Sequence, residues 1–390
     1  MTSSGSELGF IGTMFILLSL PTAVGAEEPL CERPWPVGEV VGEISDEVID
    51  ESSGLSDSWL HDDRLWTHND SGDEPRLWAM QKDATVTTEV HLIGAENVDY
   101  EDMAIAPCGA DDDRPCIYLA DFGDNLSRRE EVVIYRFPEP DLGDDPPPTL
   151  EVTEIETLVY RYADGPRDAE ALLVHPQTRQ IWVIEKTGEP IVEVFSIPEI
   201  FDQEEPHIVE SVATLEIPGN IALTRMVTAG DIAPDGSEFT FRTYLHLYTH
   251  CVPDLDDFET AFSTPATQRS MNPATLQGEA LTYDRGDGAL WLTSENLPAP
   301  LIRMPPRDED DDENAGSGGD SEVDSTTHGD DSSDPDDAGI GSDVDPESSN
   351  IHDQPSGCAC SLAGGPVNKE SLIPFVLFMS ALVIARHRKT

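Results

Sequence analysis

Apolar and polar residues alternate in many short segments between about residue 36 and residue 305, and helical periodicity is almost absent there. In residues 97–107, "NVDYEDMAIAP", a group of acidic residues precedes the alternating apolar residues Met103 and Ile105. The same order of polar group, short strand and turn recurs in segments that begin at Glu51, Arg167, Thr228 and Gln277. Alternation with a period of two predicts half-buried β-strands. The chain therefore contains five related units.

Each unit continues with further strands. Second strands that end on polar or acidic residues lie in "LWTHNDSGD", "IYLADFGDN", "IWVIEKTGE" and "LWLTSENLP", and a third strand follows each of them. Three units have a fourth strand, in "TVTTEVHLI", "EVTEIETLVYRY" and "IVESVATLEIP". Four strands that recur about every 50 residues are typical of β-propeller blades. A two-sheet sandwich also spaces short strands evenly, but it does not explain why the same residues mark each unit.

The predicted fold class is all-β, a β-propeller with five blades favoured and six possible. The fourth unit is irregular, since "EFTFRTYLHLYTH" gives two strands with little turn and "DLDDFETAF" indicates a short helical insertion. This irregular unit could contain a sixth, degenerate blade. The last unit stops after its third strand, and the N-terminal strand in "GEVVGEISDEV" is expected to pair with that strand near Leu301. Closure in this way removes an exposed sheet edge.

The N-terminal 26 residues have the pattern of a signal peptide. An apolar core over residues 10–21 is followed by the small residues Val24 and Ala26, so cleavage is expected after Ala26. The segment before the core contains no Lys or Arg, but the apolar run is short for an uncleaved anchor helix. We expect the propeller to occupy residues 27–305. Residues 306–356 are rich in Asp, Ser and Gly and contain no aromatic residue, which predicts a disordered acidic linker.

The C-terminal segment 357–390 joins Cys358 and Cys360 to an apolar run, residues 372–385, and to a basic tail. The run is shorter than the roughly 20 residues of a typical transmembrane helix, but it spans if the bilayer thins locally. This segment resembles the MYXO-CTERM sorting signal. The resemblance implies processing near Cys358 or Cys360 by sorting and processing machinery at the membrane. It also implies export and display at the cell surface, with the chain anchored in the membrane through its C-terminus.

The chain is strongly acidic, with 78 Asp and Glu against 22 Lys and Arg and a formal net charge of −56. Nucleic-acid binding is excluded on this ground, because phosphate backbones require a basic face. The six cysteines of an exported chain are candidates for disulfides. Cys108 and Cys116 bracket a turn between two strands and are expected to pair. Cys31 and Cys251 are the other cysteines before the tail, and their pairing is left open. We expect a monomer.

Acidic residues mark the places where blades meet the channel mouth, the face of the ring at which the first strand of each blade begins. Because strands alternate in direction, the start of the first strand and the end of the second lie on this face. Aligning the units puts Ser53, Glu101, Glu170, Gly230 and Glu279 in one column, with Asp102 and Asp231 one position later. The predicted metal-binding residues are Ser53, Glu101, Asp102, Glu170, Asp231 and Glu279. The predicted ligand-binding residues are Asn69, Asp70, Asp121, Asp124, Glu185, Glu295, Arg167 and Arg225.

Carboxylates that converge on a narrow mouth repel one another, so protonation, arginine partners or a bound cation must compensate. Oxygen ligands without Cys or a His pair favour Ca²⁺ over Zn²⁺. Arg76, Arg167, Arg225 and Arg242 lie near these junctions, so ion pairing is an alternative to a metal. His68, beside the mouth, is expected to be a hydrogen-bonding partner. The arrangement resembles the architecture of five-bladed calcium-dependent apyrases and, loosely, of propeller phytases.

Two functions are compatible with these residues. The first is a surface-displayed ligand-binding or interaction module, whose carboxylate mouth is either a calcium-stabilised scaffold or a recognition pocket for an unknown extracellular ligand, cationic or sugar. The alternative is a calcium-dependent hydrolase of phosphate or carboxylic esters, in which Glu170 or Asp121 activates water. The sequence has no G-x-S-x-G nucleophile motif and no complete set of acid, base and substrate anchor. We therefore expect binding.

Overall fold

The computed structural model of the chain describes residues 1, 30–271, 273, 275 and 277–307. The predicted signal peptide after Met1, nearly all of the acidic linker and the C-terminal segment with Cys358 and Cys360 lie outside these residues. Within the described part, no helix is both long and apolar enough to cross a membrane.

The described residues fold into 22 strands and three short 3-10 helices. The helices are Leu30–Glu32, Ala222–Thr224 and Phe258–Ser263. The strands are β1 Glu39–Ile44, β2 Ser52–Asp57, β3 Arg64–Asn69, β4 Arg76–Gln81, β5 Val86–Leu92, β6 Tyr100–Gly109, β7 Asp112–Asp121, β8 Val132–Pro138, β9 Thr149–Val152, β10 Glu156–Tyr162, β11 Ala169–Val174, β12 Ile181–Glu185, β13 Ile191–Ile197, β14 His207–Val209, β15 Ser211–Glu216, β16 Val227–Ile232, β17 Glu238–Thr243, β18 His246–Cys251, β19 Thr267–Ser270, β20 Ala280–Tyr283, β21 Leu290–Thr293 and β22 Ala299–Met304.

These strands form five sheets, which are the five blades of a β-propeller. From the channel outward, blade 1 is β2-β3-β4-β5-β9, blade 2 is β6-β7-β8-β10-β14, and blade 3 is β11-β12-β13-β15. Blade 4 is β16-β17-β18-β19, and blade 5 is β20-β21-β22-β1. The predicted fold class and the favoured blade number are therefore confirmed.

The fourth unit gives one ordinary blade. Strands β17 and β18 are separated by only two residues, and the predicted helical insertion is the 3-10 helix Phe258–Ser263. Its Phe258 stacks on Trp182 of blade 3, with ring centroids 4.7 Å apart. The described residues leave no sheet for a sixth blade.

The hydrophobic core lies between adjacent blades. In the described part of the chain, the buried apolar residues form five clusters, one at each of the five interfaces between neighbouring blades. Every residue of β2 and β11 is buried, because an inner strand packs against the inner strands of both neighbouring blades and against the second strand of its own blade. Each of these clusters combines residues of two neighbouring blades, so adjacent blades stabilise one another.

The ring is closed in the predicted way. Strand β1 pairs antiparallel with β22, and Gly42 lies opposite Leu301. A disulfide between Cys31 and Cys251 also joins the segment before β1 to blade 4. The expected disulfide between Cys108 and Cys116 is confirmed and connects β6 to β7.

Two predicted fourth strands each divide into two strands. The segment "EVTEIETLVYRY" contains β9, which joins blade 1 parallel to β5, and β10, which belongs to blade 2. In the same way β14 joins blade 2 parallel to β10, while β15 completes blade 3. The linker to the next blade thus covers the outer edge of the previous blade, and its backbone groups pair with an edge that would otherwise be open.

Candidate functional site

The first strand of four blades begins with a β-bulge. The extra residue of the bulge is Ser53 in blade 1, Glu101 in blade 2, Glu170 in blade 3 and Thr228 in blade 4. In blade 5, Glu279 directly precedes β20. A bulge redirects a side chain at the end of a strand, so these five residues occupy equivalent places at the channel mouth.

The predicted alignment of the fourth unit is wrong by two residues. Thr228, not Gly230, occupies the bulge, and its hydroxyl donates to Gly278 O at 2.8 Å. The apolar pattern of "TAGDIAP" fits either alignment, because Gly230 has no side chain to distinguish them. As a result Asp231 lies two residues further along its strand than predicted, opposite Thr240.

Three of the six predicted metal-binding residues have side chains that form hydrogen bonds with main-chain groups or with a neighbouring strand. Asp102 accepts the N–H groups of Met103 (2.9 Å), Leu172 (2.8 Å) and Gly230 (3.2 Å), so it joins the inner strands of blades 2, 3 and 4. Asp231 accepts from Tyr283 N and the Thr282 hydroxyl, both at 2.9 Å. The Ser53 hydroxyl donates to Glu101 O at 3.0 Å. These residues hold the inner strands together.

The other three, Glu101, Glu170 and Glu279, belong to a group of interacting carboxylates that we call the mouth cluster. Its members are Asp70, Asp99, Glu101, Asp168, Glu170, Glu279 and Glu295. One oxygen each of Asp70, Asp99 and Glu101 lies within 4.8 Å of the others, and the same holds for Glu101, Asp168 and Glu170. We call these the first and the second trio. Glu101 belongs to both.

Asp99 and Asp168 belong to the site but were not among the residues predicted from the sequence. Each lies two positions before a bulge glutamate, in "DYE" and "DAE". This D-x-E spacing in two units was the signal that could have found them, because residues two apart in a strand share a face.

Lys186 is the third unexpected member of the site. It follows the last residue of β12, and its ammonium donates to Glu170 Oε1. The ammonium also lies 5.4 Å from the centre of the Tyr244 ring. Its neighbour Glu185, which was the predicted ligand-binding residue, is directed away and accepts from Glu193 N at 2.8 Å and from Arg167. Successive side chains of a strand point to opposite faces, so the exit of β12 contributes a cation to the mouth.

Most of the other predicted ligand-binding residues stabilise turns or form ion pairs within the protein. Asp121 accepts Asp99 N at 3.0 Å and Val98 N at 3.2 Å and pairs with Arg129 at 2.8 Å, whereas Asp124 accepts the N–H groups of Arg128 and Arg129. Asn69 donates to Val48 O at 2.8 Å, and Arg225 donates to Gly219 O at 3.4 Å. Arg167 pairs with Asp164, Glu185 and Glu193. Asp70 and Glu295 are the two that lie in the mouth cluster.

The electrostatics of the cluster are dominated by burial. Burial raises the pKa of Glu101 well above its ordinary value, and the neighbouring Glu170, Asp70 and Asp99 raise it further. Burial and then Asp168 raise the pKa of Asp99 to about 6. Burial opposes the charge of Lys186, but Glu170, Tyr244 and Glu279 together hold its pKa well above the ordinary value. The mouth therefore favours a further positive charge.

Three buried oxygens of the cluster accept no hydrogen bond from the protein, namely Glu101 Oε1, Glu170 Oε2 and Glu279 Oε2. Their residues are only 3%, 2% and 4% exposed. A buried carboxylate oxygen without a donor costs free energy, and a hard cation with oxygen ligands removes that cost. The residues present therefore fit Ca²⁺. Asp70, Asp99 and Glu101 are the better set of ligands, because among the described residues no lysine is hydrogen-bonded to them.

Comparison with known proteins finds similarity among solved structures. No protein-family model and no curated protein matches the sequence. Among solved structures, the soluble aldose sugar dehydrogenase from Escherichia coli in its apo form is 11% identical, with a TM-score of 0.41. Two structures described as glucose dehydrogenase are 9% and 10% identical, with TM-scores of 0.40 and 0.41. Each match covers 69% of this chain and 99% of the other chain.

Proposed function

We propose that the propeller is a binding module whose channel mouth holds Ca²⁺ on Asp70, Asp99 and Glu101 and recognises an extracellular ligand there. The observation that carries this proposal is the buried Glu101 Oε1, which has no hydrogen-bond donor and lies in a trio of converging carboxylates. Oxygen-only ligands of this kind suit Ca²⁺.

The coordination requirement of the ion indicates what the ligand supplies. Ca²⁺ takes six to eight oxygen ligands, whereas the first trio consists of three residues. Oxygens of the ligand or of water complete the shell. A sugar with neighbouring hydroxyl groups, or a carboxylate-bearing molecule, meets this requirement, and a cationic ligand does not.

The alternative, a calcium-dependent hydrolase, has weaker support from the mouth. The Lys186 ammonium is engaged with Glu170, and Arg242 donates to Ala280 O at 2.8 Å and Thr293 O at 3.0 Å. Neither cation is available to anchor a phosphate. Of the two candidate bases, Glu170 is paired with Lys186 and Asp121 holds the turn before β6. Binding is therefore the better supported function.

The test is a glycan and carboxylate-ligand binding screen of the full chain in Ca²⁺ and in EDTA, with Glu101→Gln as the matched variant. We expect ligands that bind in Ca²⁺ and are lost both in EDTA and in the variant. A parallel assay with phosphate and carboxylic esters should show no calcium-dependent turnover. Turnover that requires Ca²⁺ and Glu101 would contradict the binding assignment in favour of the hydrolase.

We also propose that the propeller is displayed at the cell surface through residues 357–390. Deleting this segment removes the Cys motif and the apolar run together, so the protein should appear in the medium. A truncated chain that stays on the cells would contradict this.

A further inference from the structure

The two trios of the mouth cluster have the arrangement of a paired cation site. They share Glu101, and each offers three oxygens that lie within 4.8 Å of one another. Two hard cations about 3.5–4 Å apart are commonly held by protein sites of this kind. Each trio therefore offers its own set of oxygens to an ion.

The second trio, however, already contains a positive charge of the protein. Lys186 donates to Glu170, and burial opposes its charge, whereas Glu170 and then Glu279 and Asp168 raise the pKa of its ammonium. The side chain of Lys186 is 10% exposed and that of Glu170 is 3% exposed. By contrast, among the described residues no Lys or Arg nitrogen lies within 4.0 Å of a carboxylate oxygen of Asp70, Asp99 or Glu101. Lys186 and Arg129 act on the first trio only at longer range, so the two trios differ in whether a protein cation directly contacts one of their carboxylates.

We propose that Lys186 takes the place of a second metal ion, so that the mouth holds one Ca²⁺ on the first trio and none on the second. This inference rests on the proposed calcium site and adds the residue that sets its stoichiometry. Removing the ammonium leaves Glu101, Asp168 and Glu170 without a counter-charge and opens the second trio to an ion. Arg at the same position keeps the charge and keeps the site closed.

Equilibrium dialysis of the full chain against Ca²⁺ counts the ions, provided that ions held by acidic residues elsewhere are subtracted. Glu101→Gln removes the ligand that both trios share, so the difference between a chain and its E101Q counterpart counts mouth ions alone. We expect a difference of one ion for wild type, one for Lys186→Arg and two for Lys186→Met. Tryptophan fluorescence melting confirms that each variant is folded, and Lys186→Gln replaces Lys186→Met if the latter does not fold.

Mn²⁺ provides a second readout, since it prefers the same oxygen ligands and two neighbouring Mn²⁺ ions give a coupled electron paramagnetic resonance spectrum. The coupled spectrum should appear in Lys186→Met and be absent from wild type and Lys186→Arg. A wild-type difference of two ions, or a Lys186→Met difference of one without a coupled spectrum, would overturn the role of Lys186 and leave the calcium site standing. A wild-type difference of zero would contradict the calcium site itself.

Discussion

Glu101 is the central residue of the mouth cluster. It occupies the bulge of β6, belongs to both trios and keeps one buried oxygen without a donor. Gly123 lies against it, because a Cβ at this position would be 2.0 Å from Glu101 Oε1 and 2.6 Å from Asp99 Oδ2. The loop after β7 therefore leaves space for the first trio only as long as residue 123 has no side chain.

We expect Gly123→Ala to weaken Ca²⁺ binding by at least tenfold, since the methyl group displaces two of the three ligands of the first trio. Ca²⁺ titration by calorimetry measures the effect. Gly109→Ala is the matched control, because a Cβ there would have its nearest neighbour at 3.7 Å. Equal affinities of Gly123→Ala and Gly109→Ala would show that the ion does not sit on Glu101 and Asp99.

His68 should make stability depend on pH. The ring is fully buried, Nδ1–H donates to Asn69 O at 3.0 Å, and burial lowers the pKa to about 4 from an ordinary value of 6.5. Below pH 6.5 the unfolded chain binds a proton that the folded chain does not, so this contribution to stability is lost as the pH falls toward 4. His68→Gln removes it.

Urea unfolding of wild type and His68→Gln at pH 7.5 and pH 5 measures this loss, and the carboxylates cancel in the comparison. The free energy of unfolding of wild type relative to the variant should fall by about 2 kcal/mol between the two pH values. A difference between the two proteins that is independent of pH would show that His68 titrates alike in both states.

At the residue scale, the sequence predicted the site only where a residue recurs in equivalent units. Glu101, Glu170 and Glu279 were found because each precedes the alternating apolar residues of an inner strand. Asp102 was assigned to the same mouth, but its carboxylate turns to the N–H groups of Leu172 and Gly230, a contact between blades that local sequence does not show. Lys186 was missed because it has no counterpart at the second-strand exits of the other units.

At the element scale, the strands and their closure followed from the alternating pattern, because a blade buries its apolar residues against both neighbours. Strands β9 and β14 were not predicted from this pattern. Each lies in one continuous apolar segment with the next strand, and its partner is an edge of the previous blade. The pairing depends on which edge is open in the assembled ring, which no local pattern contains.

The two disulfides should contribute unequally to stability. Cys31 and Cys251 are 220 residues apart and Cys108 and Cys116 only 8 apart, and a disulfide that closes a longer loop restricts the unfolded chain more. Replacing Cys31 and Cys251 by Ser should lower the free energy of unfolding by about 5 kcal/mol, and replacing Cys108 and Cys116 by about half as much. Urea unfolding of the two double variants measures both losses. Equal losses would contradict the loop argument.

At the scale of the whole molecule, the closed ring brings to one mouth carboxylates that are more than 200 residues apart in the chain, from Asp70 to Glu295. Their repulsion opposes ring closure, and an ion that binds only the closed ring stabilises it. The proposed calcium site would therefore be thermodynamically coupled to the folded propeller. All six tryptophans lie between residues 35 and 291, so their fluorescence reports the propeller even in the full chain.

The most direct test is the melting temperature of the full chain in Ca²⁺ and in EDTA, measured by tryptophan fluorescence for wild type, Glu101→Gln and the exposed control Glu210→Gln. At a hundredfold excess over its dissociation constant, Ca²⁺ should stabilise wild type by about 2.7 kcal/mol, which raises the melting temperature by roughly 5–10 °C. Glu210→Gln should show the same rise and Glu101→Gln none. An unchanged melting temperature in wild type, or an equal rise in Glu101→Gln, would contradict a calcium site at the channel mouth.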